Sequence, residues 1–108
     1  MAVRIAGEMI QDTIAAIEID GGGQLHVVPS SQAFPYIYRE AMEVNWDTVR
    51  LSLHSPKPRE WSYGRWFQQI LAAAHAQECD LRLAESTQWL NVDRGIKDEL
   101  LKIHGQLK

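Results

Sequence analysis

Histidines at 26, 54, 75 and 104, a single cysteine at 79 and fourteen acidic residues are the groups of this chain that could move protons, attack a carbonyl or hold a metal. Their spacing is uninformative for metals. No two histidines stand four apart with an acid between them, and one cysteine cannot build a cysteine-rich zinc site, so neither a metal nor a cofactor is expected. His26 and His54 sit at polar positions of two strand-like runs. If those strands are neighbours, the histidines converge on one sheet face with Asp47 or Glu18 as an acid/base pair; otherwise they are surface residues. Cys79 carries no flanking nucleophile signature and reads as a small buried hydrophobe. Ser30, Ser31 and Ser55 lack the Gly-x-Ser-x-Gly elbow of a hydrolase and suit turns. The triplet Gly21-Gly22-Gly23 precedes a strand rather than a helix, so it lacks the helix N-terminal amides that cradle phosphate.

Large rings are the second kind of candidate. Four tryptophans, at 46, 61, 66 and 89, accompany three tyrosines and two phenylalanines in 108 residues. Such side chains are either the heavy members of a small core or the anchors of a binding surface. Tyr63, Trp66 and Phe67 belong to a helical stripe and read as core. Tyr36, Trp46 and Trp61, near the stiff Pro56-Lys57-Pro58 connector and near Arg39 and Arg59, make a candidate ligand site. Ring faces there would take an apolar or cationic group and a guanidinium an anion. Packing of the arginines on the rings would give the same pattern.

The elements that must position these groups follow from periodicity. Thr13 to Asp20 and Gln24 to Val28 flank the glycine turn and read as a hairpin with Ile17, Ile19, Leu25 and Val27 on one face. Tyr36 to Glu43 is compatible with a two-turn helix opened by Pro35. Val49, Leu51 and Leu53 alternate with polar residues, as one long strand or, if Asn45, Asp47 and Thr48 turn, as a compact hairpin. Ser62 is a good N-cap, and Tyr63, Trp66, Phe67, Ile70, Leu71 and Ala74 recur at helical spacing, which predicts a helix over 62–77. Residues 79–83 read as a short strand and 86–92 as irregular or extended. Asp93 caps a last helix, over about 93–107, with Ile96, Leu100, Ile103 and Leu107 inward.

Composition sets the frame. With 45% apolar and 23% charged residues the chain is globular, and its length predicts one domain spanning 1–108. A net charge of −3 argues against a nucleic-acid partner, which needs a basic stripe. No run approaches the roughly 20 apolar residues of a membrane span, and the first residues lack a signal peptide's apolar core. With one cysteine and no leader, the expected compartment is the cytoplasm. The elements imply an α+β fold: a small, mostly antiparallel sheet of three to five strands packed against the two helices. Exposure of Ile, Val or Trp on the uncovered sheet face would favour a homodimer.

The runs Phe34-Pro35-Tyr36-Ile37-Tyr38-Arg39, Val44-Asn45-Trp46-Asp47, Ser55-Pro56-Lys57-Pro58 and Trp61-Ser62-Tyr63, with Trp66-Phe67, resemble a family of small bacterial proteins carried on integron gene cassettes. The resemblance covers most of the chain from about residue 14 onward. It implies a compact α+β protein of a mobile genetic element, and it carries no catalytic residues across. The function expected is non-catalytic, a small cytoplasmic protein binding a small molecule or a partner. An immunity or antitoxin-like partner protein is the alternative, and a small enzyme using His26 and His54 with acidic neighbours is the third class.

Overall fold

A ten-residue strand, β1 (Ile10–Ile19), runs through the centre of the computed structural model, which describes residues 9–37, 43–57 and 61–106. After the glycine turn β2 (Leu25–Pro29) returns antiparallel to it, setting Ile17 opposite Val27 and Ile19 opposite Leu25. All four are buried, as their alternation required. The strand begins earlier than the hairpin reading placed it, because its phase changes midway. Ile14 pairs with Pro29 and Ala16 with Val28, so the register shifts around Ala15. A bulge of this kind turns the chain by one residue, which lets Ile14 and Ile17 both face the core although three positions apart.

Next come β3 (Asn45–Asp47) and β4 (Ser52–His54), a hairpin whose second strand pairs with β2. Between them the Asp47 carboxylate accepts the Val49 and Arg50 amides at 2.8 and 3.0 Å, closing a tight turn. Leu51 adopts a left-handed φ of 55°. The compact-hairpin reading holds, and the alternation through Val49 and Leu51 was a false strand signal. Val49 is 89% and Leu51 57% exposed at the hairpin tip, and Leu53 alone of the three is buried. Of the helix expected over Tyr36 to Glu43, residues 38–42 lie outside the described residues; Pro35 and Tyr36 form a turn that ends in Ile37.

Helix α1 (Tyr63–Ala76) starts where Ser62 accepts the Arg65 amide on its hydroxyl at 3.1 Å. Trp66, Phe67, Ile70, Leu71 and Ala74 are buried against the sheet, and burial of each large side chain contributes about 1.5–3 kcal/mol. A left-handed Glu78 then turns the chain at once into β5 (Cys79–Arg82), which runs parallel to the first half of β1. The segment read as irregular or extended contains a further strand, β6 (Gln88–Leu90), parallel to the second half of β1. Thr87 bridges the jog between them: its hydroxyl donates to the Ile14 carbonyl at 2.6 Å, beside the bulge, and accepts the Ala84 amide at 2.9 Å. Among the described residues the sheet therefore has six strands, in the order β3-β4-β2-β1-β5, with β6 also on β1. The α+β expectation stands, with a sheet larger than the three to five strands expected and two parallel pairings that short-range patterns could not reveal.

Helix α2 (Arg94–Gln106) is opened by Asp93, whose carboxylate accepts the Ile96 amide at 2.9 Å. Leu100 is fully buried, and Ile96 and Ile103 pack at the core margin. The two helices meet at Gly64, whose amide donates to Glu99 at 2.7 Å; a Cβ there would collide with the Glu99 carboxylate and the end of Ile103. On helix propensity alone Gly64→Ala should stabilise α1 by about 1 kcal/mol. Because the added methyl displaces both neighbours and the Glu99 hydrogen bond, we expect a net loss of about 1–3 kcal/mol in urea unfolding. A stabilised variant would show that the helices do not pack this closely.

Candidate functional site

The sheet pairing brings the two strand histidines together. His26 on β2 stands opposite His54 on β4, with Glu18 on β1 and Asn45 on β3 completing one row across four strands. Directly paired residues share a face, so this row lies on the side away from the row of Ile17, Val27, Leu53 and Trp46. The imidazole rings stack at 5.2 Å with an interplanar angle of 27°. Around them the acids are arranged differently from the expected pair. The partner of His26 is Asp20, at 2.8 Å from Nε2, while the Ser52 hydroxyl lies 2.8 Å from Nδ1. Glu18 is taken by Arg50 at 2.7 Å, and the Asp47 carboxylate is 4.0 Å from the same guanidinium.

Ser52, His26 and Asp20 thus form a chain of the residue types used in nucleophilic catalysis. Its environment is that of a structural network. Ser52 is 0% and His26 2% exposed, so no substrate carbonyl can reach the hydroxyl in this arrangement. Each of the three groups satisfies a polar neighbour that would otherwise be buried without a partner. His54 Nδ1 is the buried side-chain polar atom that, among the described residues, has no such partner. No cluster of three or more His, Cys, Asp or Glu side chains among those residues could hold a metal ion.

Electrostatics point the same way. Burial by itself would raise the Asp20 pKa, but hydrogen bonds from His26 and from the Gln24 and Gly22 amides, with the charge of His26, outweigh it and hold the carboxyl below its ordinary 3.8. A carboxyl depressed in the folded state stabilises the fold above its unfolded pKa, and that stability is lost as pH falls through the folded value. Asp20→Asn should therefore flatten the decline of stability below about pH 4, measured by urea melts from pH 7 to pH 2.5. An unchanged acid limb would remove Asp20 from the network. Cys79 is equally unsuited to chemistry, since burial, helped by Asp12 and Asp80, pushes its thiol up to about 11.

Of the five ring-and-arginine residues, Arg39 and Arg59 lie outside the described residues. Two of the three rings, Trp46 and Trp61, have aromatic partners among the described residues. Trp46 meets Phe34 edge-on at 5.9 Å. Trp61 packs on Trp66 at 4.7 Å, with the Arg65 guanidinium 4.5 Å over its ring, and both tryptophans are at least half-buried. Tyr36 is 58% exposed. Two concavities among the described residues are lined by other side chains.

One is a cleft of about 400 Å³ around the outer edge of β5. Its helical wall is Gln68, Leu71, Ala72 and His75, one flank of α1 beside the apolar stripe. Met9 and His104 close the ends, and Asp80, Leu81 and Arg82 form the strand wall. Arg82 Nε donates to both carboxylate oxygens of Asp80, at 3.0 and 2.9 Å. His104 Nε2 accepts the Leu83 amide at 3.1 Å, so that nitrogen carries no proton there. Sequence reading passed over this site. Its one signal was Gln68, Ala72 and His75 at helical spacing, followed within a few residues by Asp80-x-Arg82 on a strand. A second concavity among the described residues, about 550 Å³ and wider to solvent, lies among Ile19, Tyr63, Asn91, Val92, Asp93 and Ile96. Its polar members are engaged in the backbone, Asn91 to the Ile19 carbonyl and Asp93 to the Ile96 amide.

Fold and site together define a small α+β protein with a helix-covered mixed sheet and a cleft at its parallel edge. Residues 12–88 match the family described as Integron Cassette Protein Hfx_Cass5, and the chain belongs to that family. It is similar to the solved structure of the integron cassette protein Hfx_Cass5 from the mobile metagenome of the North West Arm sewage outfall. Identity is 54%, over 90% of this chain and 98% of that one, with a TM-score of 0.46, so the kinship rests on the residues rather than on superposition. No curated protein matches the chain. Among the described residues no helix is long and apolar enough to cross a membrane.

Proposed function

We propose that this integron cassette protein is a non-catalytic small-molecule binder and that its ligand occupies the cleft at the edge of β5. The observation carrying this reading is the combination of volume and lining. About 400 Å³ falls within the roughly 300–1,000 Å³ of small-molecule sites, and an apolar surface of Met9, Leu71, Ala72 and Leu81 is met by a few convergent polar groups. The central groups of the polar face around His26 are buried and bonded to one another, so they are not offered to a ligand.

A screen of small metabolites by ligand-observed NMR tests the reading, with Ala72→Trp as the control. Ala72 is exposed on α1 and lines the cleft, so a large ring there fills the space while leaving the buried stripe intact. Compounds that bind the wild-type protein are expected to lose at least about tenfold in affinity in the variant, the loss of roughly one desolvated contact group. Binding that is indifferent to Ala72→Trp would place the ligand elsewhere, with the Tyr36, Trp46 and Trp61 region, flanked by Arg39 and Arg59, the next candidate.

A second reading, contact with a protein partner or another copy of the chain, draws on Val49 and Leu51, exposed side by side at the hairpin tip. The row of Glu18, His26, His54 and Asn45, on the face away from the apolar row, gives it no help, because polar groups stand there in place of the exposed Ile, Val or Trp that would favour a homodimer. Sedimentation velocity from 5 to about 500 μM is expected to show self-association that Val49→Glu weakens if the tip is the contact. A monomer throughout that range would end the homodimer reading.

A further inference from the structure

We infer that the ligand of the β5 cleft is a small zwitterion with an apolar body, of which a free aliphatic α-amino acid is the simplest example. This rests on the reading of the cleft as a binding site and adds the chemistry of what fills it. Charge is the first argument. Asp80 and Arg82, two residues apart on β5, project from the same face and lie against each other, so the strand wall presents a carboxylate and a guanidinium side by side. Their charges cancel. A ligand with one net charge would be attracted by one of them and repelled by the other, whereas a zwitterion sets its ammonium on Asp80 and its carboxylate on Arg82.

Hydrogen-bonding capacity is the second. Asp80 engages only Nε of Arg82, which leaves both terminal nitrogens of the guanidinium to accept a carboxylate as a planar fork. Each Asp80 oxygen retains a lone pair for an ammonium. The backbone adds to this. Donation from the Ile10 amide to the Glu78 carbonyl, at 2.9 Å, fixes the phase of the parallel ladder. Glu78, Asp80 and Arg82 therefore turn their backbone groups to β1, and Cys79, Leu81 and Leu83 turn theirs outward. The Leu83 amide is taken by His104, and Leu81 is left presenting a donor and an acceptor at the cleft between the two charged side chains.

The third argument is size and polarity. Across the β5 edge from the charged pair, on the face where Leu81 is buried, Leu71 and Ala72 of α1 supply an apolar surface suited to an aliphatic group of a few carbons. No bond is made or broken, because neither wall carries an activated nucleophile.

The test compares three probes of one carbon skeleton at pH 7.5 by isothermal titration calorimetry: L-leucine, 4-methylpentanoate as the anion and 3-methylbutylamine as the cation. Leucine is expected to bind at least about tenfold more tightly than either singly charged probe, as the gain of one charge-assisted contact implies. Arg82→Gln should lose leucine about tenfold while retaining the amine, and Asp80→Asn should lose leucine similarly while retaining the carboxylate. A purely structural ion pair would not produce that crossed pattern. Leucine no tighter than the other two in the wild-type protein overturns the inference, whatever the variants do, and so does an equal loss of all three probes in both variants. If other compounds from the screen still depend on Ala72, the cleft remains the site and only its ligand class is wrong. If no compound responds to Ala72→Trp, both readings fall.

Discussion

The bulge around Ala15 is the constraint on which the rest of the molecule depends. β1 pairs with three other strands, and its two halves present opposite residue parity to the core: Ile14 before the shift, Ile17 and Ile19 after it. Without the extra residue, either half could bury its apolar side only by turning the other outward. The bulge also leaves the Ile14 carbonyl for the Thr87 hydroxyl, and that bond sits where β5 gives way to β6 along the same edge. The long strand, the jog and the cleft edge are thus one arrangement.

A second consequence is how the face without the apolar row is finished. Small sheets with one helix-covered side often bury the other in a partner. Here Asp20, His26, Ser52 and the stacked His54 close much of it with a hydrogen-bonded network, and Arg50 ties the hairpin tip back to Glu18. Buried polar groups of this kind are costly unless paired, so the network holds the hairpin of β3 and β4 in one register more than it adds raw stability. It resembles a catalytic chain in composition because serine, histidine and aspartate are also the groups best able to satisfy one another. What separates the two uses is access, and burial removes it.

The cleft has the opposite character. Its charged pair is half-exposed on β5, Leu71 and Ala72 stand on α1, and the sheet edge between them retains a backbone donor and acceptor at Leu81. Edges of sheets are usually protected by charge or by a covering element. In this protein α2 covers part of the β5 edge through His104, and the charged pair of Asp80 and Arg82 guards what remains. That protection and ligand recognition would draw on the same residues.

By itself the sequence determined the parts whose physics is local. The stripe of Trp66, Phe67, Ile70 and Leu71 requires a helix, Ser62 and Asp93 require helix starts, and the glycine turn between two apolar alternations requires a hairpin; all three stand in the structure. The family was legible too, since ring and proline motifs are retained as residues. Tertiary structure decided what depends on distant pairing. It set His26 beside His54 but gave Asp20 rather than Asp47 or Glu18 as the acid, because register fixes which side chains share a row. It made Val49 and Leu51 a turn, since Asp47 could bond two following amides and end the strand. The edge of β5, with its charged pair on one side and the flank of α1 on the other, exists only once β1 accepts a parallel partner, and no local periodicity encodes which strand will be chosen.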